Sequence, residues 1–214
     1  MNLSADLWRE NRDLAQAALG HPFVRGLGDG TLRLESFQYY VAQDAFFLES
    51  FARAYALSLA HSPDSEGLRD FAGLLAGVIE ELELHAGYAE RWGVSLDEVI
   101  PGEATLAYTE FLTATAATRS IGETCAAMTP CMRLYAFLGQ SLAEDGYGEE
   151  NPYAEWIQTY ADPGFEALAA RLEGLLDRYS GEEDGARFAY RRAMALEVAF
   201  FEAALVSADR PERP

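Results

Sequence analysis

The chain has 214 residues, half of them apolar, a net charge of −19 and 16 basic residues that are all arginine. That length suits one large domain or two small ones with a sizeable core. So acidic a surface repels phosphate backbones and argues against nucleic-acid binding, and the absence of lysine excludes Schiff-base chemistry.

The N-terminus, MNLSADLWRENRDLA, is polar and amphipathic and carries no signal-peptide pattern. No run of about 18 apolar residues is present, so no membrane span is expected. The two cysteines, Cys125 and Cys131, form neither a disulfide framework nor a zinc pattern. Together these features suit a reducing cytoplasm.

In chain order, Ser4 is a plausible cap for a helix running to Leu19, with Leu7, Trp8, Leu14 and Ala15 as its apolar stripe. Gly20-His21-Pro22 breaks it, and His21 reads as a helix-end residue. The glycine-rich stretch from Gly26 to Thr31 lacks the spacing and preceding strand of a phosphate loop and reads as a turn. A long helix then spans Leu34 to Ala60. Phe37, Tyr40, Val41, Asp44, Phe47, Leu48, Phe51 and Tyr55 follow steps of three and four along it. Asp44 falls on that apolar face, where a carboxylate is costly unless paired. It is either a structural Asp satisfied by a neighbouring helix or a ligand-facing group in a pocket.

A loop from His61 to Ser65 leads into a helix from Leu68 to Trp92. Its run of Glu80, Glu81 and Glu83 reads as a solvated face. Glu81 and His85 stand four apart, a spacing open to a metal but different from the Glu-x-x-His of di-iron bundles. After a connection from Val94 to Gly102, a helix from Thr105 to Ile121 carries Tyr108 on its Leu112 face.

The next stretch, AAMTPCMRLYAFLGQ from Ala126 to Gln140, is apolar and interrupted by Pro130, with Cys131 directly after it and Tyr135 one turn on. Pro130 either opens a helix capped by Thr129 or kinks a longer one. In the first case Cys131 lies in the first turn, where the helix dipole favours a thiolate. Otherwise Cys131 reads as a small buried hydrophobe. A polar loop from Asp145 to Pro152 precedes a short helix from Tyr153 to Tyr160. Asp162-Pro163-Gly164 separates it from a helix spanning Phe165 to Tyr179, and Gly185 to Ser207 forms the last long helix. There Glu197 shares a face with Phe200, Phe201 and Ala204, a second carboxylate on a packing stripe. The tail from Asp209 to Pro214 is expected to be disordered. With no period-two strand and no repeat, the fold class is all-α, a single helical domain over residues 1–208.

If the bundle gathers Cys131, Asp44, Glu197 and the tyrosines, the pocket holds a thiol, two carboxylates and aromatic rings. Such a set suits covalent and acid–base chemistry on a flat aminated ring.

These residues also resemble an established family pattern. Gly30-Thr31-Leu32 with Phe37, Tyr40 and Gln43-Asp44, the segment from Glu81 to Gly93, Tyr108-Thr109, the Pro-Cys-x-x-Leu-Tyr run from Pro130 to Tyr135, Trp156 to Tyr160, and Glu197 with Phe200 and Phe201 occur in the order seen in the TenA/thiaminase II family. The resemblance spans nearly the whole chain and lies with the cysteine-bearing branch. It implies a haem-oxygenase-like bundle, a homotetramer, no cofactor, and hydrolysis of aminopyrimidines: thiamin, or 4-amino-5-aminomethyl-2-methylpyrimidine, to the hydroxymethyl compound. It implies Cys131 as nucleophile, Glu197 as acid/base and Asp44 gripping the amino group and ring nitrogen. Phe47, Tyr108, Tyr135 and Tyr160 then fall at substrate-binding positions. Phe47 stands where many members have Tyr, Phe201 replaces a common Trp, and Met132-Arg133 replaces an aromatic pair. These departures bear on substrate choice and rate rather than on reaction class. A non-catalytic pyrimidine-binding or regulatory protein on the same bundle is the alternative. A haem- or metal-dependent oxidase would need a richer ligand set than His21, His61 and His85.

Overall fold

A computed structural model describes residues 2–208 apart from 97–98, 149 and 182–183, and for residues 83–85, 88, 184 and 206–208 the backbone alone. The expected disordered tail and the side chain of His85 therefore lie outside the described residues. The described chain is helical throughout, with turns and extended links between helices.

The N-terminal helix is two helices, α1 (Leu3–Glu10) and α2 (Arg12–Leu19), not one. Asn11 breaks it by turning its side chain back, Nδ2 donating to the Leu7 carbonyl at 2.8 Å. The cap of α1 is Asn2, whose side chain accepts from Ala5 N–H, and not Ser4. Ser4 instead donates through both its amide and its hydroxyl to Asp177, at 2.8 and 2.9 Å, docking α1 onto α9 (Pro163–Tyr179). His21 caps the following helix, α3 (Pro22–Asp29), its Nδ1 accepting from Phe23 N–H with Pro22 as the first helical residue. The glycine-rich stretch read as a turn is thus mostly helix. Only Gly30, at φ 75°, supplies the left-handed turn after it.

Helix α4 (Leu34–Ala60) has the bounds its periodicity predicts, while α5 (Ser65–Arg91) starts three residues before Leu68. Helix α6 (Glu103–Thr118) stops short of Ile121 because Ser120 caps the next helix. Ser120 and Glu123 form a capping box, so α7 runs unbroken from Ile121 to Asp145 with Pro130 in its interior. Thr129 is not a cap: its hydroxyl donates to the Cys125 carbonyl at 2.7 Å. Helix α8 (Ala154–Ala161) ends where Asp162 caps α9, and α10 (Asp184–Ala208) closes the order.

Helix α7 packs against α8, α9 and α10, and α4 packs against α5, α6 and α10. Phe37, Phe51, Leu112, Leu134 and Phe201 are fully buried between them, each contributing about 2 kcal/mol on removal from water. The closest helix approach that matters for the site is at Gly139. A Cβ built there would lie 2.5 Å from the Tyr160 carbonyl carbon. Gly139→Ala is therefore expected to force α8 off α7 and to cost about 1–3 kcal/mol, read as a lowered thermal midpoint.

Candidate active site

Five of the expected site residues line one narrow pocket: Asp44 and Phe47 from α4, Cys131 and Tyr135 from α7, and Tyr160 from α8. The other two, Tyr108 and Glu197, stand directly behind it. The Tyr108 hydroxyl donates to Glu197 Oε1 at 2.7 Å, and its ring lies 4.8 Å from that of Phe47. Glu197 also stands next to the Cys131 thiol, close enough for each to shift the other's proton affinity. The hydroxyl absent at Phe47 is replaced by apolar contact with Phe51, Tyr108 and Phe200.

Gln43 and Asp44 divide the work of their helix. The Gln43 side chain accepts from Gly102 N–H and Thr105 Oγ1, at 2.8 and 2.6 Å, and donates to the Ile100 carbonyl. It thereby fixes the start of α6 and the placement of Tyr108, while Asp44 faces the pocket. Opposite, Tyr135, Trp156 and Tyr160 form an aromatic wall. Its ring centroids are 4.7 to 5.8 Å apart, and the rings meet at steep angles. Tyr40 ties this wall to α4: its hydroxyl accepts from Trp156 Nε1 at 3.3 Å and donates to the Tyr135 hydroxyl at 3.4 Å. On the far side of α7, Arg133 makes a bidentate pair with Glu173 and a further bond to Glu166, at 2.7 to 2.8 Å.

Of the two readings of Pro130, the structure has the longer helix, and the electrostatics follow from it. Cys131 lies ten residues into α7, beyond the reach of its N-terminal dipole. Burial first, and then the carboxylates of Glu197, Asp44 and Glu81, push its thiol well above the ordinary range. It rests as a thiol. Burial likewise pushes Glu197 up to about 8, opposed by the bond from Tyr108 and by the neighbouring Cys131 thiol and reinforced by Asp44. The second cysteine, Cys125, is fully buried and pushed up to about 12, which makes it inert.

Glu81 is the residue that sequence reasoning misplaced. Glu80 is exposed, as a solvated face requires, but Glu81 lines the pocket and is raised to about 7 by burial and by Asp44. The signal was available: Phe71, Leu74 and Val78 form the buried stripe of α5, and position 81 continues its steps of three and four. Tyr40 and Trp156 were visible as core aromatics but not as the link between α4 and the ring wall. His21 and His61 lie elsewhere, the first capping α3 and the second against the Ala116 carbonyl.

A thiol next to one carboxylate and in a pocket with a second and a wall of rings has the groups for covalent chemistry on a flat polar ring. The chain is 36% identical to the mitochondrial bifunctional TH2 protein of Arabidopsis thaliana, over 94% of its own length but 37% of the plant protein. It is 35% identical to the aminopyrimidine aminohydrolase of Halalkalibacterium halodurans, covering 83% of this chain and 81% of that one. Among solved structures, a TenA family transcription regulator from Silicibacter superposes with a TM-score of 0.88 at 28% identity, over 96% of both chains. Haem oxygenase-1 from the cyanobacterium Synechocystis gives 0.62 at 16% identity over 97% and 94%, a likeness of fold alone. The family model for TENA/THI-4/PQQC matches residues 8–206, and the chain belongs to that family, on the haem-oxygenase-like all-α fold.

Proposed function

We propose that this chain is an aminopyrimidine aminohydrolase of thiamin salvage. It hydrolyses 4-amino-5-aminomethyl-2-methylpyrimidine, and thiamin as a second substrate, to 4-amino-5-hydroxymethyl-2-methylpyrimidine. The observation that carries the reading is the Cys131 thiol in one pocket with Asp44, Tyr135 and Tyr160, with the buried Glu197 carboxylate next to it.

The pyrimidine lies against Tyr135 and Tyr160, with Asp44 at its amino group and adjacent ring nitrogen. Phe47 and Tyr108 close the opposite side. Cys131 is not pre-ionised, so its proton passes to Glu197 as sulfur bonds to a ring carbon. The electron pair displaced by that bond moves onto a ring nitrogen, which takes a proton. Its return expels the exocyclic ammonium from the methylene as neutral ammonia. Water then adds to that methylene and gives up a proton, and the sulfur departs with its bonding pair to restore the aromatic ring. The sum is amine plus water to alcohol plus ammonia.

Purified protein incubated with the aminomethyl compound is expected to release ammonia and the hydroxymethyl product in equal amounts, read by coupled assay and mass spectrometry. Tight pyrimidine binding with no consumption would instead favour a binding or regulatory role. The same reading includes a homotetramer in the cytoplasm. The two free thiols support the reducing compartment. Exposed apolar side chains such as Phe188 and Ile100, 70% and 85% accessible, suit burial between copies. Light scattering would measure the assembly.

A further inference from the structure

The scheme above uses Asp44 and Glu197 and leaves the third pocket carboxylate without a task. Glu81 lines the same cavity but keeps partial exposure, whereas Asp44 and Glu197 are 7% and 2% accessible. It is thus the least enclosed of the three carboxylates. It makes no hydrogen bond or ion pair with any described residue. The groups facing it are Asp44 and Tyr55 from α4, Cys131 and Tyr135 from α7, Tyr160 from α8, and the apolar Phe165 from α9. No arginine lines the pocket among the described residues.

A carboxylate held beside another carboxylate among aromatic rings is stabilised by a cation, and none lines the pocket among the described residues. The substrate's exocyclic amine is an ammonium at neutral pH, the thiazolium of thiamin is also positive, and the hydroxymethyl product is neutral. We infer that Glu81 is a specificity-determining residue that holds the cationic leaving group, favouring charged substrate over neutral product. This inference rests on the aminopyrimidine reading of the site. An ionised Glu81 is required, and its carboxyl is raised to about 7. The preference is therefore present above that pH and fades below it, while the amine stays protonated throughout.

Calorimetry in the Cys131→Ala background, where neither ligand is consumed, separates the possibilities. With Glu81 intact, the aminomethyl compound is expected to bind about tenfold tighter than the hydroxymethyl compound at pH 8, the ratio shrinking at pH 6. With Glu81→Gln added, the two are expected to bind alike at both pH values, and retained binding of the neutral ligand reports an intact fold. Glu81→Leu provides a second reading should the glutamine variant not fold, and Glu81→Asp is expected to restore part of the preference. A ratio and pH dependence unchanged by Glu81→Gln or Glu81→Leu would overturn the inference alone. Failure of both pyrimidines to bind with Glu81 intact would overturn the aminopyrimidine reading, and this inference with it.

Discussion

Cys131→Ala is expected to lower ammonia release from aminomethyl-methylpyrimidine by a factor on the order of 10³ or more, because a covalent route loses its nucleophile. Binding of the hydroxymethyl product is expected to change little. The substitution removes one sulfur from the pocket and leaves the ring wall of Tyr135, Trp156 and Tyr160 in place. Single-turnover kinetics and calorimetry on the two proteins measure these separately. Equal rates would show that sulfur does not attack. A parallel loss of product binding would show that the substitution had damaged the pocket.

Glu197→Gln is expected to cost about 10²–10⁴ in kcat/KM and to change the shape of its pH profile. In the parent protein the carboxylate must be ionised to take the thiol proton. With Glu197 raised to about 8, activity climbs as pH rises through that value rather than near the ordinary carboxylate range. The glutamine variant lacks that limb. Its stability runs the other way. A carboxyl whose folded value lies above its unfolded value of 4.5 favours the fold most below that lower value, and the benefit is lost as pH rises to about 8. Glutamine avoids the cost of burying charge and still accepts from Tyr108. Glu197→Gln is therefore expected to raise the thermal midpoint at pH 9, by an amount worth on the order of 2–4 kcal/mol, and to shift it little at pH 5. Thermal denaturation across that range measures the effect.

The long elements were legible because their apolar steps are uninterrupted and their ends are marked. Leu34 to Ala60 has a continuous stripe; Asp162-Pro163, read as a break before Phe165, is instead the cap and first-turn proline of α9. Boundaries set by a single side chain were not. Asn11 looks like an ordinary polar position until its amide turns back on Leu7. Thr129-Pro130 has the local grammar of a helix start, but the capping box ten residues earlier and packing on both sides carry α7 through it. Of the two readings open for Pro130 the longer helix holds, and that decides the chemistry: a first-turn cysteine would be acidic, whereas this thiol needs Glu197 to lose its proton. Asp44 and Glu197 stood out because each is a charge interrupting an apolar face. Glu81 escaped because two glutamates beside it made the same residue look like surface.

Arg133 and Cys131 are two residues apart on α7, about 200° around its axis, so one faces α9 while the other faces the pocket. A forked guanidinium gripping Glu173 in two places fixes the roll of a helix as well as its distance from its neighbour. The resemblance places an aromatic pair at positions 132 and 133, which would hold that rotation by packing. Here the aim of the sulfur is set from the outer side by ionic groups remote from any ligand, leaving the inner side free to vary with the molecule it receives.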